Sequence, residues 1–127
     1  MTPEAANYLA KAREDLNDAL QIVTLGLAKV AARSAYYTAF HAADAFVVER
    51  TSKTPKTHRG VRSEFGRLMK DHPANTKFMT TVLAQGYRYK EIGDYGTDPD
   101  EVVTMQDAEA AIASAIQFLE WVEAALN

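Results

Sequence analysis

A chain of 127 residues reads as one domain over 1–127, long enough to bury a hydrophobic core without covalent staples. It contains no cysteine, which excludes disulfides, thiol nucleophiles and thiolate metal sites and fits a reducing compartment. A formal net charge of −3 argues against indiscriminate binding to nucleic acid.

Thr2-Pro3-Glu4 has the order of a helix start: a hydroxyl cap, a proline where no amide donor is needed, and an acid at the positive end. Tyr8, Leu9, Ala12, Leu16, Leu20 and Val23 then recur at helical spacing, predicting a helix over 3–24 that breaks at Gly26. A second helix is predicted over 28–50, rich in alanines that raise its propensity and let a neighbouring backbone approach. The polar, proline-containing segment 51–57 reads as a loop, with Thr57 capping a third helix over 58–70 whose Val61, Phe65 and Leu68 or Met69 face inward. His72-Pro73 ends it. A fourth helix, 74–94, carries Phe78, Val82, Leu83, Tyr89 and Ile92, and a turn-rich connection follows. Thr104 and Asp107 form a capping box for the last helix, whose stripe of Ala108, Ile112, Ala115, Ile116, Leu119 and Val122 reaches to Leu126. The expected fold is all-α: an antiparallel up-and-down bundle of four long helices and one short one.

Charge is distributed unevenly. Seven basic residues (50, 53, 56, 59, 62, 67 and 70) face a single acid, Glu64, between Arg50 and Lys70. From Glu91 onward there are nine acids and no lysine or arginine. The basic segment could steer a phosphate-bearing partner, unless the fold sets the two regions side by side and they cancel. No apolar run approaches membrane-spanning length and the first residues lack the order of a signal peptide, so a soluble cytoplasmic protein without membrane contact is expected.

The stretch RSAYYTAFHAAD, residues 33–44, gathers Arg33, Tyr37, Phe40 and Asp44 on one side of the second helix, with Ser34 and His41 on its flank. Asp44 could accept from the His41 ring three residues away, and Arg33 could reach Tyr37 or a neighbouring helix. In a catalytic version Arg33 holds a phosphate and His41 moves a proton. In a structural version the same groups complete hydrogen bonds within an alanine-rich core.

Two further stretches carry chemistry. Thr57-His58-Arg59-Gly60 opens a helix in a basic neighbourhood, where free amides, His58, Arg59 and a folded-over Lys56 would make a phosphate dock. Gly86 to Tyr95 offers Arg88, which can pair with Glu91 or Asp94, and aromatic rings suited to stacking on RNA bases. Metal and cofactor sites are not expected: the three histidines lack ligand spacing, and the acidic turn at 98–101 has too few oxygens for a calcium loop.

RSAYYTAFHAADAF, THRGVRSEF, RYKEIGDY and the closing EWVEAAL, in this order and spacing, resemble the small stand-alone bacterial and archaeal HEPN domain proteins. The resemblance implies a helical bundle that pairs as a homodimer, often beside a small nucleotidyltransferase as toxin or partner. It also implies nucleotide binding or metal-independent RNA cleavage. Active members carry an arginine followed after about four to six residues by a histidine, which must act near neutral pH. Arg88 takes the place of that arginine, but Gly93, Asp94 and Tyr95 stand where the histidine would be. The literal pattern occurs instead at Arg67 and His72, ahead of the fourth helix. The expected catalytic set is therefore Arg88, His41 and Asp94, with Arg33, Lys56, His58, Arg59 and Arg88 as the nucleotide- or phosphate-binding set. The first reading is an accessory protein that binds a nucleotide or docks on a nucleotidyltransferase, in a toxin–antitoxin-like pair. An RNA-cleaving toxin and a purely structural homodimer are the alternatives.

Overall fold

The computed structural model describes all of residues 1–127 and consists of helices throughout. Helix α1 spans Pro3–Val23, α2 Ala28–Thr51, α3 His58–Leu68, α4 Pro73–Tyr95 and α5 Met105–Leu126, with a single 3-10 turn at Met69–Asp71. This is the expected bundle of four long helices and one short one. No helix is long and apolar enough to cross a membrane.

The ends follow from local chemistry. Thr2, Thr57 and Thr104 accept from the amides of Ala5, Gly60 and Asp107, and the last forms a reciprocal capping box. Gly26 has φ +75°, the left-handed conformation that turns the chain from α1 into α2. The third helix is shorter than expected because Met69–Asp71 tightens into the 3-10 turn before Pro73.

Helix α2 is the axis of the molecule and packs against all four other helices. Its alanines 31, 32, 35, 39, 42, 43 and 45 are fully buried, so neighbouring backbones close in on it. Phe46, Phe65 and Phe118 join α2, α3 and α5 in one aromatic core, with ring centroids 5.6 and 5.2 Å apart. Two apolar stripes differ from expectation. On α4 the buried positions are Met79, Leu83, Gly86 and Lys90, while Phe78 is 40% exposed. On α1, Leu20 is 45% exposed, while Ile22 and Val23 of the same turn pack against the core. The α4 shift has a cause in Gly86. A Cβ there would lie 2.9 Å from Cδ1 of Tyr36, so the glycine lets α4 lie directly on the tyrosine ring.

A histidine, tyrosine and cation cluster as the candidate functional site

The middle of α2, the start of α3 and the last half of α4 converge on one aromatic cluster. His58 leaves the exposed helix start and turns its ring inward, 4.4 Å from the Phe40 centroid and 5.7 Å from those of Tyr36 and Tyr87. Its Nδ1 lies 2.7 Å from the Tyr36 hydroxyl. Tyr36 is buried, and burial raises its pKa far above that of a free phenol, so it keeps its proton. The buried hydroxyl has no other hydrogen-bonding partner and donates to Nδ1, which puts the ring proton of His58 on Nε2. The His58 pKa is lowered, first by burial and then by the charges of Lys90 and Arg62. At neutral pH the ring is therefore an uncharged Nε2–H donor.

His41 is held differently. Its Nδ1 lies 2.6 Å from Oδ2 of Asp15 on α1, and its ring packs between Tyr8 and Tyr37. An ionised carboxylate can only accept, so the proton shared with Asp15 sits on Nδ1, and in the neutral ring Nε2 is a free lone pair. Both imidazoles contact the same Phe40–Tyr37 surface, at centroid distances of 5.6 Å for His41 and 4.4 and 5.8 Å for His58. In their neutral forms the first offers an acceptor at Nε2 and the second a donor.

Cations rim the cluster. The Arg62 guanidinium lies over the Tyr87 ring at 4.3 Å, and its Nε is buried without a partner. Lys90 is only 9% exposed, pairs with Asp94 at 3.5 Å and faces Tyr87 and Tyr95. Arg33 lies over Tyr37 at 5.0 Å and pairs with Asp94 at 3.2 Å. Asp94 thus anchors two cations and belongs to the rim.

The other expected residues fall elsewhere. Asp44 does not accept from His41: the ring turns to Asp15 across the α1–α2 interface, and Oδ1 of Asp44 is buried without a partner. Burial raises the Asp44 pKa to about 6, with the charge of His41 acting in the opposite sense. Arg88 projects from the exposed side of α4 toward Glu101, 3.9 Å away, and pairs with neither Glu91 nor Asp94. Lys56 and Arg59 are exposed on the outer side of the loop and α3. Lys56 lines an open concavity of about 550 Å³ with Lys53 and Gly60. Gly60 gives close approach to the chain's own cap, since a Cβ would meet Thr57 Oγ1 at 2.9 Å and Pro55 at 3.1 Å. The literal arginine-to-histidine pattern is split: Arg67 pairs with Glu64, and His72 packs edge-on to Trp121. No ion pair joins the basic 50–70 segment to the acidic C-terminal part, so their charges are not cancelled by direct contact.

Tyr36, Asp15, Arg62, Tyr87 and Lys90 were absent from the expected site. Tyr36 was legible as half of the tyrosine pair in the 33–44 stretch, and Arg62 as part of the basic run. Nothing local marked Asp15, which lies 26 residues from its partner.

The HEPN domain family model matches residues 5–125. The chain is 29% identical over 116 residues to a protein of Methanocaldococcus jannaschii named "Putative toxin MJ0605", covering 91% of this chain and 84% of that one. It is 27% identical over 120 residues to UPF0332 protein glr0978 of Gloeobacter violaceus, covering 94% of each. The chain belongs to the HEPN domain family.

Proposed function

We propose that this HEPN protein is a toxin-type endoribonuclease that cleaves RNA by in-line attack of a ribose 2′-hydroxyl on the adjacent phosphate. The observation that carries this reading is the pair of imidazoles fixed in opposite hydrogen-bonding roles on one aromatic surface, with Lys90 and Arg62 beside His58. RNA supplies its own nucleophile, so the protein has to position, deprotonate and stabilise charge. His41 takes the 2′-hydroxyl proton on Nε2 while Asp15 stabilises the imidazolium that forms. The 2′-oxygen–phosphorus bond forms and the bond to the 5′-oxygen breaks. That oxygen leaves with a proton from solvent, and His41 returns its own to water. His58 Nε2–H, Lys90 and Arg62 stabilise the non-bridging oxygens. The relative named as a toxin supports the same reading.

The test is cleavage of mixed RNA by the purified protein beside His41→Ala, His58→Ala and Arg88→Ala, each checked for helicity. Loss of cleavage in both histidine variants is expected. Full activity in His41→Ala, or no cleavage by the folded parent across several RNA types, removes the ribonuclease reading. Arg88→Ala reports whether a second copy brings that exposed arginine to the site, as the family arginine would require.

A partner-docking reading is favoured by one observation. Leu25 (71% exposed), Leu27, Val102 and Tyr95 (72%) leave apolar surface at one end of the bundle, around an open concavity of about 520 Å³ lined in part by Gly26, Ile92 and Val102. A second copy or a small nucleotidyltransferase would cover it. Leu25→Lys with Val102→Lys should then leave the fold intact and shift the sedimentation of the assembly, and unchanged sedimentation removes this reading.

A further inference from the structure

On the α1 side of His41 lies a concavity of about 360 Å³ lined by Glu4, Asn7, Tyr8, Lys11 and His41. Glu4, Tyr8 and Lys11 follow one another at helical spacing, with Asn7 beside them, so a single face of α1 supplies four of the five groups. The same face continues to Asp15, which holds His41. The Tyr8 ring lies nearly parallel to His41, at an interplanar angle of 16° and a centroid separation of 6.4 Å. Glu4 and Asn7 are exposed and make no side-chain hydrogen bond or ion pair within the chain, so their polar atoms are free. Lys11 reaches only Glu14, at 3.5 Å and in the open.

These groups form a set with one chemical meaning: a flat stacking ring, a carboxylate acceptor, an amide that donates and accepts, and a cation at the end. We propose that this concavity is the base-specificity subsite of the nuclease, taking a guanine next to the scissile phosphate. The inference rests on the ribonuclease reading for its role. Guanine stacks on Tyr8, gives its N1–H and N2 amino group to Glu4, and accepts at O6 from the Asn7 amide. Lys11 neutralises the neighbouring phosphate. Uracil presents acceptors on both sides of its single N–H, so the Glu4 carboxylate repels it. Cytosine and adenine offer one donor group each to the carboxylate where guanine offers two.

Direct binding separates the subsite from the chemistry. The unmodified protein is titrated with guanosine 3′-monophosphate, uridine 3′-monophosphate and guanosine 5′-monophosphate, following its amide NMR signals, and the series is repeated with Glu4→Gln and Asn7→Ala. The expected result is a preference of about tenfold or more for the guanosine over the uridine 3′-nucleotide, the scale of one well-placed bidentate contact. The largest signal changes should fall on residues 4–11 and 41, and Glu4→Gln should remove most of the preference. Equal affinity for the two bases, or a preference untouched by both substitutions, overturns the subsite even if RNA is cleaved. Preference intact in a protein that cuts no RNA leaves the subsite standing and removes the nuclease. Tighter binding of the 5′-nucleotide than the 3′-nucleotide assigns the pocket to a free nucleotide and overturns the RNA assignment.

Discussion

The hydroxyl of Tyr36, in the middle of α2, lies 2.7 Å from Nδ1 of His58, in the first turn of α3. This contact decides which nitrogen of His58 faces outward. In Tyr36→Phe the Nδ1 acceptor loses its partner inside the cluster, at a cost of about 1–3 kcal/mol in stability. A donor to Nδ1 stabilises the neutral ring, so its loss should also raise the His58 pKa toward the ordinary histidine value. Titration of the His58 ring by NMR checks this. An unmoved titration would mean that the phenol does not donate.

Asp15 and His41 call for a different experiment. An amide at position 15 can donate to Nδ1, which moves the ring proton to Nε2 and removes the acceptor that the proposed ribonuclease mechanism uses as its base. On the proposed mechanism, Asp15→Asn should lower RNA cleavage by about two orders of magnitude while leaving the helix content unchanged, the scale of a lost general base. Nitrogen shifts of His41 should report the tautomer exchange. Retained cleavage with an exchanged tautomer would remove His41 as the proton acceptor.

Asp44 makes stability depend on pH in an unusual sense. Its folded pKa of about 6 stands above the ordinary 3.8, so between these values the folded state binds more protons than the unfolded one. Stability therefore falls as the pH rises through that window, and the loss is complete above it. Asp44→Asn removes the cost of burying the charge and should gain on the order of 2 kcal/mol near neutral pH, with the gain vanishing in acid. Denaturant midpoints on either side of the window test the sign. His58 acts oppositely: its lowered pKa makes stability rise with pH as the solution passes from that pKa to the ordinary histidine value.

Gly86→Ala should be costly although alanine is the better helix former. The added Cβ would stand 2.9 Å from Cδ1 and 3.3 Å from Cβ of Tyr36, whose own backbone is at 3.5 Å. Overpacking of this kind costs about 1–3 kcal/mol. Thermal unfolding measures it, and a neutral result would mean that the Tyr36 ring can shift aside.

The loop and outer side of α3 leave Lys53, Lys56 and Arg59 without ion pairs. If RNA runs along this surface, each charge neutralised by substitution to Gln should reduce the salt dependence of binding by about 0.7, the single-strand value. Filter binding at several salt concentrations reads the slope. An unchanged slope in the triple variant places the RNA elsewhere.

The sequence by itself determined the helices, because helices are local objects. Caps at Thr2, Thr57 and Thr104 and the proline at the first position of α1 act over a few residues, and each appears where those residues predicted it, whereas Pro73, read as the end of the third helix, opens α4. It also singled out the 33–44 stretch and His58, because polar and aromatic groups on an alanine-rich helix are conspicuous without any partner in view. Only the tertiary structure decided who holds whom. His41 pairs with a residue 26 positions away, His58 with one 22 away and Arg33 with one 61 away, while the nearby Asp44 is left unpartnered. Helix spacing shows which side chains share a face, but the partner of a buried polar group is set by which neighbouring helix packs over that face. Here that choice turns on alanines in α2 and a glycine in α4, whose contribution is the side chain they lack.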